Sequence, residues 1–185
     1  MPRLVLEEKR SRIRIWSAAC SSGQEPYSIS MIFDEFRSRH PGVQMREPEI
    51  VATDISMTVL NSARRAEYDS LSVSRGLSDS RRRQFFDELP DSRYALKSHI
   101  VKRVSFRKLN LQDKYSTLGR FDVIFCRNVL IYFAADLKAD ILGRMRNALN
   151  PGSYLILGAS ESLPAVLADK YTMERVSAHT SVYRS

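Results

Sequence analysis

The sequence predicts a doubly wound α/β fold, in which helices cover both faces of a mainly parallel sheet. Helical and strand-like segments alternate along the 185 residues, a length sufficient for one domain with a sizeable core. The run FDVIFC at 121–126 is continuously apolar, which is typical of a buried parallel strand. Polar side chains follow the first four predicted sheet strands. Because ligands of such sheets bind beside the carboxyl ends of the strands, these polar side chains are candidate site residues.

The composition narrows the class of protein. Hydrophobic residues make up 43% and charged residues 27% of the chain, as in soluble globular proteins. No apolar run approaches the ~20 residues of a membrane span, and Glu7 and Glu8 argue against a secretory signal. The two cysteines, Cys20 and Cys126, make no disulfide framework and no metal cluster. We therefore expect buried, reduced thiols and a cytoplasmic protein.

The first predicted strand and helix enclose a turn of small residues. Ile13 and Ile15 belong to the strand, and residues 20–23 keep the turn free of bulk, so a ligand can approach the backbone closely. Pro26 begins a helix that runs to about residue 39. A small-residue turn between a first strand and a first helix is the usual cofactor position in doubly wound sheets.

The second strand and helix are followed by a basic segment. Asp54 closes the strand at 49–53, and Ser56 is suited to cap the helix after it. Residues 78–89 are amphipathic and contain the arginines 81–83. These arginines are either a solvated helix face or a docking surface for an acidic partner.

The periodicity changes after residue 92. Residues 93–107 alternate as short strands do, which predicts a small β subdomain inserted at about 91–105. The other predicted elements are a third sheet strand at 104–109, a fourth at 121–126, a helix at 136–149, a fifth strand at 154–158 and a closing antiparallel hairpin at 172–183.

Four polar positions follow the predicted strands: Glu25, Asp54, Asn110 and the pair Arg127 and Asn128. Because the carboxyl ends of parallel strands share one edge of a sheet, we expect these side chains to converge. Asp54 alone is either a helix cap or a ligand of ribose hydroxyls, and the convergence favours the ribose.

Absent motifs limit the cofactor. The sequence has no G-x-G-x-x-G, no G-x-x-x-x-G-K-[ST] and no G-x-S-x-G, and its three histidines are isolated from one another. We therefore expect no metal ion. What remains is a cofactor with a ribose and an adenine but no pyrophosphate, and S-adenosylmethionine meets that description.

Four segments resemble the chemotaxis receptor methyltransferases of the CheR type, which are S-adenosylmethionine-dependent protein-glutamate O-methyltransferases. They are ACSSGQEPYSISM at 19–31, ATDIS at 52–56, LNL at 109–111 and FDVIFCRNVLIYF at 121–133. EPYS together with CRNVLIYF is a highly specific pair. The resemblance implies a class I methyltransferase, Rossmann-like fold for residues 12–185. Residues 1–11 would be a linker or the remnant of the helical N-terminal domain that family members usually carry.

The resemblance also implies residue roles. Asp54 would hold the ribose hydroxyls, and Asn110 and Leu111 would bracket the adenine. Arg127 and Tyr132 would be the catalytic residues that face the substrate, although a core ring is an equal alternative for Tyr132. The full cofactor-binding set is Ala19, Ser21, Gly23, Glu25, Asp54, Asn110, Leu111, Arg127 and Asn128.

The implied reaction forms glutamate methyl esters on chemoreceptors during chemosensory adaptation, a form of signal transduction, with S-adenosylhomocysteine as product. The expected partner is the cytoplasmic helical region of a receptor. We expect a monomer, with no nucleic-acid partner and no membrane insertion. Because a glutamate side chain is ionised at pH 7, alignment and partial desolvation of the reactants would supply most of the catalysis.

Two departures from the family bear on this interpretation. Gln24 stands where the family usually has an acidic residue, and only about ten residues precede the first strand. The hairpin region ELPDSRYALKSH has no glycine turn, which argues against docking of a receptor tether peptide. A non-catalytic S-adenosylmethionine-binding or scaffold module is therefore the main alternative. A nucleic-acid methyltransferase, suggested only by the net charge of +8, is the weakest hypothesis.

Overall fold

The structure is a computed structural model that describes residues 3–8, 10–177 and 180–185. A π-helical turn at Arg3–Glu7 comes first. The helices are α1 (Gln24–Arg39), α2 (Met57–Arg65), α3 (Ser70–Ser74), α4 (Asp79–Phe85), α5 (Ser98–Val101) and α6 (Ala135–Asn147). The strands are β1 (Arg14–Ala18), β2 (Glu49–Asp54), β3 (Glu67–Asp69), β4 (Phe86–Leu89), β5 (Arg93–Leu96), β6 (Val104–Lys108), β7 (Phe121–Cys126), β8 (Leu149–Leu157), β9 (Thr172–Ser177) and β10 (Thr180–Arg184).

The main sheet has seven strands in the order β6-β2-β1-β7-β8-β10-β9. The five strands from β6 to β8 are parallel, and β10 lies antiparallel between β8 and β9. A second, antiparallel sheet has the order β3-β5-β4. The predicted mainly parallel sheet, its closing hairpin and its small β insertion are therefore confirmed. The hairpin joins β9 to β10 through residues 178–179, which lie outside the described part of the chain.

Helices pack on both faces of the main sheet because alternate strand residues point to opposite faces. Trp16 of β1 packs toward α6, in a cluster with Ile141 and Met145. The neighbouring Ile15 packs toward α1, in a cluster with Phe33. Burial of each such large apolar side chain stabilises the fold by about 1.5 to 3 kcal/mol. Among the described residues, no helix is long and apolar enough to cross a bilayer.

The strand register brings the candidate site together. Ala18, the last residue of β1, pairs with Thr53 of β2 and with Cys126 of β7. Cys126 in turn pairs with Leu157 near the end of β8. The loops that follow these strands therefore emerge side by side at one edge of the sheet.

The structure differs from the expected elements at the helix predicted for 136–149. Helix α6 ends at Asn147, and β8 begins at Leu149 and runs through the Asn-Pro-Gly sequence that was expected to end the helix. Leu149 pairs with Phe121 of β7. Pairing with a neighbouring strand therefore overrides the local turn signal, and the expected strand 154–158 is the latter part of β8.

The small sheet is broader than the expected window of 91–105. Only β5 falls in that window, and its partners are β3 and β4, which lie earlier in the chain. The residues after β5 form the short helix α5, and its Ile100 is fully buried among Phe85 and other core side chains. Asp91 and Ser92 turn the β4–β5 hairpin in left-handed conformations, with φ of 58° and 55°, so the turn forms without glycine.

Candidate functional site

The small-residue turn after β1 has an unusual backbone. Ala19, Ser21 and Gly23 have positive φ values of 55°, 49° and 90°. The Cys20 N–H donates to the Thr53 carbonyl at 2.9 Å, and the Gly23 N–H donates to the Cys20 carbonyl at 3.0 Å. This left-handed backbone, built from residues with small side chains, leaves the main chain open to a ligand at the sheet edge.

Two tyrosines support this turn. The Tyr68 hydroxyl of β3 donates to the Ser22 carbonyl at 2.8 Å. The Tyr27 hydroxyl of α1 donates to the Ala63 carbonyl of α2 at 2.9 Å. The first contact attaches the small sheet to the turn, so the insertion helps to fix the backbone of the site.

Asp54 joins the loops that follow β1 and β2. Its Oδ2 accepts the Ser21 N–H at 2.9 Å, and its Oδ1 accepts the Ser56 N–H at 3.0 Å. The cap of α2 is Ser56, whose Oγ accepts the Val59 N–H, as predicted. A carboxylate can accept about four hydrogen bonds, so Asp54 keeps capacity for hydroxyl groups of a ligand.

Glu25 lies in the first turn of α1 and connects β1 to β7. Its Oε1 accepts the Ser17 hydroxyl at 2.7 Å, and its Oε2 lies 3.4 Å from Nη1 of Arg127. Burial raises the pKa of the Glu25 carboxyl, although the hydrogen bond from Ser17 and the charge of Arg127 act in the opposite direction. A partly buried carboxylate of this kind is stabilised by a bound cation.

Arg127 and Tyr132 lie on one loop. Arg127 follows the end of β7 and exposes 44% of its side chain. Tyr132 ends a 3₁₀ turn at Leu130–Tyr132 and is 79% exposed. That exposure does not fit the alternative of a core ring, and it leaves the phenol available at the surface of the loop.

Asn110 and Leu111 follow β6 at the same edge. The Leu109 N–H donates to the Asp54 carbonyl at 3.0 Å, which places this loop beside the end of β2. The Asn110 Oδ1 accepts the Gln112 N–H at 3.0 Å and shapes the turn. Leu111 is only 6% exposed, so its side chain belongs to the core beneath the turn.

The two cysteines lie at this edge but are not activated. Both are buried and free. Burial, with smaller contributions from the carboxylates of Asp54 and Glu25, raises the pKa of the Cys20 thiol to about 12. Burial also raises the pKa of Cys126. Since the thiolate is the nucleophilic form, neither cysteine is suited to covalent catalysis.

Sequence reasoning missed Glu161. Its carboxylate accepts four backbone N–H groups: those of Asn128 and Gly158 at 2.8 Å each, Val129 at 2.9 Å and Leu130 at 2.7 Å. The side chain therefore ties the end of β8 to the loop that follows β7. The one available signal was an acidic residue three positions beyond the end of a predicted strand.

Residues 1–179 match the family described as "CheR methyltransferase, SAM binding domain". The chain therefore belongs to this family, as the resemblance implied. S-adenosylmethionine (SAM) is the cofactor of this domain.

Curated relatives agree with this membership. "Chemotaxis protein methyltransferase Cher2" of Pseudomonas putida is 51% identical over 177 residues, which are 96% of this chain and 64% of the relative. "Chemotaxis protein methyltransferase" of Vibrio parahaemolyticus is 52% identical over 163 residues, which are 88% of this chain and 58% of the relative. The chain thus spans less than two thirds of the length of these relatives.

A solved structure supports the fold. Magnesium protoporphyrin IX methyltransferase from Synechocystis PCC 6803, solved with bound SAM, superimposes with a TM-score of 0.57 at 14% sequence identity. The alignment covers 98% of this chain and 74% of that protein. The class I methyltransferase fold is therefore confirmed.

Proposed function

We propose that this protein transfers a methyl group from S-adenosylmethionine to glutamate side chains of chemoreceptors in the cytoplasm, giving methyl esters in chemosensory adaptation. The observation that carries this proposal is the meeting of Glu25, Asp54 and Arg127 around the small-residue turn at one sheet edge. The names of the relatives, which are chemotaxis protein methyltransferases, support the choice of substrate.

The side chains at this sheet edge fit a cofactor that is cationic and carries ribose hydroxyls. The turn at 19–23 would admit it without side-chain obstruction, and Asp54 would accept hydrogen bonds from the ribose. Asn110 and the backbone of Leu111 would border the adenine, because the Leu111 side chain lies in the core. Glu25 would offset positive charge on the cofactor, because its partly buried carboxylate lacks full solvation. Ala19, Ser21, Gly23, Arg127 and Asn128 complete the proposed binding set.

The protein's own part in the reaction is positioning. Bound SAM supplies an electrophilic methyl group on a sulfonium. A substrate glutamate is ionised at pH 7, so its carboxylate needs no general base. Arg127 would orient this carboxylate with its exposed guanidinium, and Tyr132 would add a hydrogen bond from the same loop. Alignment of the two reactants in this way can lower the barrier by several kcal/mol, up to about 7 to 11 kcal/mol in well-oriented systems.

Glu25 would also moderate the contact between Arg127 and the substrate. A guanidinium held only by the incoming carboxylate would reduce the nucleophilicity of that carboxylate. The Glu25 Oε2 lies 3.4 Å from Arg127 and already shares its charge. The arrangement supports an orienting hydrogen bond rather than a tight ion pair.

The partner would be the helical cytoplasmic region of a receptor, methylated by a monomer of this protein, with no nucleic acid involved. Its substrate glutamates are acidic, and the protein has a net charge of +8. The exposed Arg107 and Lys108 at the end of β6 add positive charge at the edge of the site. Such charge favours encounter with an acidic helix.

Methyl transfer to receptor fragments tests the proposal. Purified protein, labelled SAM and a fragment with glutamate at the accepting positions should give label that alkali releases as methanol. A fragment with alanine at those positions should take up no label. Cofactor binding without transfer to any glutamate-containing fragment would instead indicate the non-catalytic module.

Variants of residues that flank β7 test the proposed roles of Arg127 and Tyr132. Arg127→Ala, at the carboxyl end of the strand, should lower kcat roughly 10- to 100-fold, the cost of misplaced reactants. Arg120→Ala, just before the amino end of the same strand, is the matched control and should leave kcat unchanged. Tyr132→Phe should lower kcat less, because the ring remains.

A further inference from the structure

The geometry points to Glu161 as the positioning residue that holds the loop carrying Arg127, Asn128 and Tyr132, by acting as a built-in anion in a socket of backbone N–H groups. We call this the 158/128–130 socket, after the residues that donate the N–H groups. The link from the socket to catalysis rests on the proposed function, whereas the socket itself does not.

The socket is formed by two strands that end side by side. Gly158 follows β8, and residues 128–130 follow β7. Both carboxylate oxygens of Glu161 are engaged: Oε2 by Gly158 and Asn128, and Oε1 by Val129 and Leu130. Hydrogen bonds to an ionised acceptor are about twice as strong as neutral ones, so this carboxylate holds the loop more firmly than a neutral acceptor would.

The socket fits its carboxylate closely. A Cβ added at Gly158 would lie 2.6 Å from Oε2 of Glu161 and 2.7 Å from Oδ1 of Asn128. Asn128 itself has a left-handed backbone, with φ of 59°. The absence of a Cβ at Gly158 thus leaves room for the carboxylate, and the left-handed backbone of Asn128 shapes the loop after β7.

Loss of the carboxylate would act on the site through the loop. Three consecutive N–H groups would lose their acceptor. One belongs to the buried Leu130, and an unsatisfied buried donor costs about 1 to 3 kcal/mol. The backbone from residue 128 to 130 would rearrange to find other acceptors. Arg127 and Asn128 begin this segment and Tyr132 ends its 3₁₀ turn, so the residues proposed to meet the cofactor and the substrate would move together.

Chemical rescue with a small carboxylate tests this inference. Glu161→Ala should weaken SAM affinity about tenfold or more, as loss of charge-assisted hydrogen bonds implies. Formate should restore part of that affinity by occupying the emptied socket, whereas sodium chloride at the same ionic strength should not. Replacement of the exposed Asp169 by alanine is the control and should change neither affinity nor the response to formate.

Glu161→Gln separates the effect of the negative charge from the effect of filling the space with a side chain. The amide keeps one acceptor oxygen but presents an NH₂ group to the other N–H donors. Affinity should fall, and formate should not rescue it because the socket remains filled. Unchanged affinity in both Glu161 variants, or rescue of Glu161→Ala by chloride as strong as that by formate, would overturn the inference.

Amide hydrogen exchange distinguishes failure of this inference from failure of the proposed function. Exchange of the Asn128, Val129 and Leu130 amides should be faster in Glu161→Ala than in the wild type, and formate should slow it. This readout needs no cofactor. If the wild type binds no SAM, the proposed function is wrong, but the exchange data still test whether Glu161 holds residues 128–130. If exchange is the same in Glu161→Ala and the wild type, Glu161 does not hold this loop, whatever the activity.

Discussion

Gly23 lies where the turn, α1 and α2 meet. It caps the N-terminus of α1 with φ of 90°. A Cβ at this position would lie 3.0 Å from Cβ of Ala63 and 3.3 Å from the Tyr68 hydroxyl. Backbone conformation and available space therefore both require glycine, and Tyr68, one of the two tyrosines that support the turn, contacts this position.

Gly23→Ala should lower the free energy of unfolding by about 1 to 3 kcal/mol, the cost of a strained left-handed residue, and should weaken SAM binding. Gly143→Ala, in the middle of α6, is the matched control, because an added Cβ meets no described atom within 4 Å. The control should raise the free energy of unfolding by about 0.5 to 1 kcal/mol. Urea unfolding measures both changes, and equal effects of the two substitutions would refute the packing role of Gly23.

Glu25 is proposed to bind the cofactor, but its ionised side chain lowers the stability of the fold at neutral pH. Burial raises the pKa of its carboxyl above the ordinary value. The folded protein therefore binds this proton more tightly than the unfolded chain does. The resulting contribution to stability is complete below the ordinary carboxyl pKa and is lost as pH rises through the folded-state pKa.

Glu25→Gln should consequently increase the free energy of unfolding at pH 7, by roughly 0.5 to 2 kcal/mol as for other replacements of strained site residues. The increase should disappear below the ordinary carboxyl pKa, where Glu25 is protonated, and SAM affinity should fall at pH 7, where the wild-type carboxylate carries its charge. Thermal unfolding at the two pH values and calorimetry measure these effects. The exposed Glu88→Gln is the control. A stability gain that is independent of pH would show that ionisation of Glu25 is not its cause.

Single residues could be predicted from the sequence where the residues next to them in the chain determine their role. Ser56 caps α2 because a serine before an apolar helical face is a local signal. Asp54 lies at a strand end, where its position follows from the fold class. Glu161 could not be found in this way, because its four donors come from two strands that the sequence does not show to be adjacent.

At the element scale, an arginine of the basic run 81–83 attaches α4 to α1. Arg81 donates to both oxygens of Glu35, at 2.6 Å and 2.8 Å, and this hydrogen bonding lowers the pKa of the Glu35 carboxyl. Arg82 lies over the Tyr94 ring, whereas Arg83 is exposed. Arg81 is therefore held in an ion pair within the protein, whereas the exposure of Arg83 fits a solvated face and a docking surface alike.

Arg81→Ala should lower the free energy of unfolding at pH 7 by about 0.5 to 1 kcal/mol, a small value because the pair is partly solvent-screened. Since the folded-state pKa of Glu35 is lowered, this contribution is present above the ordinary carboxyl pKa and is lost as pH falls. Denaturant unfolding at neutral and acidic pH checks both statements. Arg83→Ala is the control from the same run, and an equal loss in the two variants would argue against a specific link.

Elements with a strong local signal matched their prediction. The apolar run of β7 has the predicted bounds of 121–126. The start of β8 and the membership of the small sheet were not predicted, because both depend on pairing between distant segments. Leu149 becomes a strand residue by pairing with Phe121, and β3 pairs with β5 across about 25 residues of chain.

At the scale of the whole molecule, parallel strand order places the proposed site. Five loops come to one edge of the sheet because they follow five adjacent parallel strands, β6, β2, β1, β7 and β8. Hydrogen bonds link neighbouring loops: Leu109 to Asp54, and Asp54 to Ser21 of the turn. Glu25 contacts Arg127, and the next residue, Asn128, donates to Glu161. Residues scattered over more than 130 positions of sequence thus meet at one edge of the sheet, as a doubly wound fold predicts.

Calorimetric titration with SAM tests the central claim that this edge is the cofactor site. The wild type should bind one equivalent. Asp54→Ala should bind at least about tenfold more weakly, because hydrogen bonds to a charged acceptor contribute about 1.5 to 3 kcal/mol. Asp169→Ala should bind as the wild type does. Absence of binding to the wild type, or equal affinity of the wild type and Asp54→Ala, would contradict the claim.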